Sequence, residues 1–173
     1  IAGDFTVPTL DGDFTLSSAW TGCDSYVFVT HFPNATDQFD PWNSAVPPLL
    51  QDTPRNVHYF FLSGSRDPAV VSSDIADMRL RTDAAISRLP VSDRPYWRAR
   101  MHEVTTGALD LGNWISTFLA AHPTAAFAVD PFQRIRQTGL LYYLGVSNTA
   151  DLQHLTNEVR HFNFERERQR QLD

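Results

Sequence analysis

An uninterrupted run of apolar and aromatic character, Val57-His58-Tyr59-Phe60-Phe61-Leu62, most constrains what this chain can fold into. A strand with one wet face alternates apolar and polar residues, whereas a continuous run needs cover on both faces. Ser63-Gly64-Ser65 closes the run with a turn signal. The segment therefore reads as a central strand of a sheet sandwiched between helices. Tyr26-Val27-Phe28-Val29-Thr30 has the same character and supplies a second core strand. His58, inside the first run, reads as a core histidine with a satisfied hydrogen bond rather than a ligand.

The rest of the chain alternates helix and strand. Residues 68–100 read mostly helical, with Pro68 at a first-turn position and breaks near Leu89-Pro90 and Arg94-Pro95. Leu111 to Ala121 reads as a further helix. Ala125–Val129 and Arg134–Thr138 then form a hairpin across Asp130-Pro131-Phe132-Gln133. Near the end, Asn148-Thr149-Ala150-Asp151 supplies a cap and a first-turn acid. Leu152, Leu155, Val159 and Phe162 follow at helical spacing as one apolar stripe. The helix expected there continues as an extension, about 148–173, toward a further domain. With 173 residues and no internal repeat, residues 1–173 are expected to form one domain.

Charge and composition exclude several classes of function. The formal charge is −6, so phosphate backbones are not an expected partner. All 14 basic residues are Arg, which removes Schiff-base lysines and phosphate-loop lysines and fits the codon usage of a GC-rich bacterium. No run reaches the ~20 apolar residues that cross a membrane. The first residue is Ile, and the expectation is a processed or excised piece of a longer, extracytoplasmic protein.

Three segments carry a family resemblance. Asp4-Phe5-Thr6-Val7-Pro8-Thr9-Leu10-Asp11-Gly12, followed by Phe14-Thr15-Leu16-Ser17-Ser18, resembles the opening hairpin of redoxins, the peroxiredoxins and thiol-disulfide oxidoreductases. His122-Pro123-Thr124-Ala125-Ala126-Phe127-Ala128-Val129-Asp130 is similar to their late "P-T-x-F-x-I-D" segment. Between them, Thr30 to Leu50 resembles the active-site loop and the helix after it. The resemblance spans roughly residues 4 to 146. It implies a thioredoxin-like, three-layer α/β fold: a central mixed β-sheet flanked by helices, with a helical insert at about 68–100 and a C-terminal helix.

The same resemblance implies that the chemistry is gone. Where a thioredoxin carries Cys-x-x-Cys, this chain reads Phe39-Asp40-Pro41-Trp42, keeping the Pro and losing both thiols. Read as a peroxiredoxin, Thr36 stands at the active-site Thr, Phe39 replaces the peroxidatic Cys, and the usual late Arg is missing near Ala125. Thiolate is the reactive species in both chemistries, and an aromatic ring cannot replace it. Pro123 is the candidate for the family's cis-Pro, one residue out of the usual spacing. Thr36, Phe39, Asp40, Pro41, Trp42 and Pro123 are therefore the candidate binding residues, a former peptide groove without redox power; the competing reading is that the rings fill the core.

Cys23 is the only cysteine, so no disulfide can form within the chain. It precedes the strand Tyr26–Thr30, while the loop follows that strand. At about 3.3 Å per residue, it falls roughly 20 Å from Phe39, which makes it a structural thiol. His31 lies beside Asp37 and Asp40 in sequence, but the two Cys that accompany a His in copper-binding relatives are absent. No metal, cofactor or catalytic residue is expected. The expected function is a redox-inactive structural or protein-interaction module whose partner is protein. The alternative is a divergent thiol enzyme using Cys23, or another activity housed in residues 66–110.

Overall fold

The computed structural model describes residues 2–31, 46–122, 126–137 and 148–172. Two core strands lie side by side at its centre, β3 (Ser25–His31) and β4 (Val57–Ser63), paired parallel with Phe28 opposite Phe60. Three more strands complete a five-stranded sheet in the order β5-β4-β3-β6-β7. β5 (Met101–Glu103) runs parallel to β4, while β6 (Ala126–Val129) and β7 (Ile135–Gln137) run antiparallel. A separate hairpin, β1 (Thr6–Thr9) with β2 (Gly12–Thr15), joins the edge strand through a bridge between Thr9 and Val104. The sheet is mixed and flanked by helices, as the resemblance implies.

Side-chain alternation divides the interior into two apolar layers. Odd-numbered residues of the central strands (Val27, Val29, Tyr59, Phe61) pack on α2 (Val46–Asp52), α3 (Pro68–Ser87) and α6 (Asn148–Leu172). Even-numbered residues (Tyr26, Phe28, Phe60, Leu62) pack on the hairpin, on Leu16 of the short α1 (Leu16–Ala19), and on Ile115 and Leu119 of α5 (Trp114–Ala121). Every residue of β4 is buried, which is why its sequence shows no wet face. On the even face the register lines up Phe127, Phe28, Phe60 and His102 across four strands. Successive ring centroids are 4.6, 4.8 and 4.6 Å apart, with the planes within 21°. Burying such a ring contributes about 1.5–3 kcal/mol, and the stacked geometry adds to it.

Element ends follow local chemistry. Asp67 accepts the Ala69 amide at 2.9 Å and Pro68 fills the first turn, so α3 begins there. α5 starts at Trp114 rather than Leu111 because Gly112 adopts a left-handed φ of 67° and Asn113 caps the Ile115 amide. The break expected at Arg94-Pro95 is instead a start: Pro95 lies in the first turn of α4 (Arg94–Arg98), a position that needs no amide hydrogen. β5 was not anticipated, because three residues are too few to show a period. The expected helix Leu152–Phe162 is the middle of α6, a continuous helix of 25 residues.

Candidate functional site

The candidate residues Thr36, Phe39, Asp40, Pro41, Trp42 and Pro123 lie outside the described residues, as do Asp37 and Ala125. Their framework is described. β3 occupies the middle of the sheet and ends at His31, whose carbonyl accepts the Gly64 amide at 2.5 Å. α2 begins at Val46, and β6, paired with β3, begins at Ala126.

Cys23 lies at the other end of β3. Its position is half-buried, and its Sγ accepts a hydrogen bond from Arg166 Nη2 of α6 at 2.8 Å. Beside it Asn56 and Asn163 exchange amide hydrogen bonds of 2.6 and 2.7 Å, and Asn56 Nδ2 also donates to the Cys23 carbonyl at 2.8 Å. These bonds tie α6 to the N-terminal ends of β3 and β4. The thiol sits in a packing joint two residues before β3, at the end of that strand opposite the β3–α2 junction.

Two histidines remote in sequence form a pair that sequence reasoning missed. His58 Nδ1 and His102 Nε2 are 2.9 Å apart, in nearly parallel rings whose centroids are 5.2 Å apart. That spacing places the rings edge to edge through one N–H···N bond. Burial pushes both imidazoles down to about 3, with Arg100 adding to the effect at His58 and His58 itself adding to it at His102. Both are therefore neutral at ordinary pH. His58 Nε2 faces the buried Asp24 carboxylate at 3.9 Å. Phe14 from the hairpin covers both rings, with centroids 5.7 and 4.8 Å away. His58 does have the satisfied partner expected of it; the available signal was His58 standing inside an apolar run, whereas His102, between Met101 and Glu103, carried none.

Next to this pair lies a charge network. Glu103 is completely buried, and it accepts from Thr82 Oγ1 at 2.7 Å, Arg98 Nη2 at 2.6 Å and Arg79 Nη1 at 3.2 Å. Arg79 also grips Asp11 through two hydrogen bonds of 2.7 and 3.2 Å, which holds that carboxyl below its usual range. Arg98 Nη1 reaches Asp83 at 3.0 Å. The network clamps α3, α4 and β5 to the tip of the β1–β2 hairpin. Between that tip and α4 an open cleft of about 440 Å³ remains, lined by Asp11, Asp13, Phe14, Pro95, Arg98 and His102 among others.

Among the described residues, no cluster of three or more His, Cys, Asp or Glu is placed to hold a metal ion. Nor is any helix there long and apolar enough to cross a membrane.

No protein-family model matches this sequence, and no curated protein matches it. Solved structures do. A thiol:disulfide interchange protein of the thioredoxin family from Chlorobium tepidum TLS superposes over 91% of this chain and 94% of its own. Its TM-score is 0.52 at 14% identity. Yeast Sco1 covers 93% of this chain and 95% of its own, with a TM-score of 0.49 at 15% identity. At such identity the first of these shows a common fold and says nothing of activity.

Proposed function

From the premise that this chain has the thioredoxin-like fold, we propose that it is a redox-inactive member of that architecture, acting as a structural or protein-binding module. The observation that carries the reading is the position of its only thiol. Cys23 precedes β3, in a joint with α6, whereas the loop that resembles the redoxin active site follows β3 and carries Phe39 and Trp42 in place of cysteine. One thiol at the wrong end of the strand cannot cycle an intrachain disulfide. Large aromatic rings at a fold's functional rim are typical anchors for a protein partner.

Two measurements test this. Purified protein is expected to show no disulfide-reductase or peroxidase turnover above background; turnover that disappears in Cys23→Ser refutes the redox-inactive reading. Phe39→Ala and Trp42→Ala are expected to leave the urea midpoint nearly unchanged, as rim anchors would. A loss of ~3–5 kcal/mol in either variant marks a buried ring filling the core and removes the binding surface.

One observation favours the second reading, a divergent thiol enzyme. Arg166 Nη2 lies 2.8 Å from the Cys23 sulfur, so the chain's only thiol has a cationic side chain as its direct neighbour. Native alkylation of Cys23 decides between them. The structural reading expects labelling to accelerate by orders of magnitude in denaturant, and rapid native labelling would support the enzyme.

A further inference from the structure

We draw no further inference here: the strongest candidate, an acid-sensitive latch formed by the His58–His102 pair beneath Phe14 of the β1–β2 hairpin, rests on the lowered pKa of the two imidazoles alone, because His102 borders the open cleft between the hairpin tip and α4 and nothing in the geometry requires the hairpin to move when the pair takes up a proton.

Discussion

Acid should destabilise this protein well above the pH at which its carboxylates titrate, and the histidine pair sets the size of the effect. Burial pushes both His58 and His102 from 6.5 to about 3 in the folded protein. Unfolding releases them to their ordinary value, so below about pH 6.5 the unfolded chain binds protons that the folded chain refuses. The stability they contribute is complete above that pH and is lost as the pH falls toward 3. At about pH 5 each group is ~1.5 units below its unfolded value, equivalent to ~2 kcal/mol. Two independent groups would give ~4 kcal/mol; because the two are coupled and His102 is partly exposed, we expect ~2–4 kcal/mol. Depressed carboxylates such as Asp11 add their own loss only at lower pH, around and below the ordinary carboxylate range. Urea unfolding at about pH 7.5 and about pH 5 measures the difference, and His102→Gln should reduce it by roughly half. A change below ~0.5 kcal/mol in the parent protein would refute the reasoning, since it would mean that the pair is not held neutral by burial.

Two further outcomes follow from other contacts. Glu103→Gln leaves Arg79 and Arg98 facing a neutral amide in a fully buried position, and should lower stability by ~3 kcal/mol in urea unfolding. A loss under ~1 kcal/mol would show that Asp11 and Asp83 suffice to hold both guanidiniums. Gly107→Ala would place a Cβ only 2.4 Å from the Ser65 carbonyl oxygen, forcing two backbone segments apart. It should cost about 1–3 kcal/mol in thermal denaturation, whereas an unchanged midpoint would mean that this approach is looser than the structure has it.

The sequence by itself determined the layers of this protein. An unbroken run such as Val57–Leu62 can exist only where both faces are covered, and two-residue periodicity then assigns Tyr59 and Phe61 to one layer and Phe60 and Leu62 to the other. Caps were equally legible, because Asp67-Pro68 acts within its own turn. The placement of the only thiol before β3 was also readable, since it depends on chain order alone. Tertiary structure decided which polar groups meet. His58 and His102 are 44 residues apart, and Asn56 and Asn163 are 107 apart. Their contacts depend on β5 pairing with β4 so that His102 stands opposite Phe60, and a slip of one residue would turn His102 to the other face. The clamp of Arg79 and Arg98 on Asp11 and Glu103 likewise exists only after α3, α4 and the hairpin converge on one sheet edge. Burial leaves a local, periodic trace in a sequence. A hydrogen-bonded pair across the fold leaves none, because its geometry is set by the register and packing of every element between its partners.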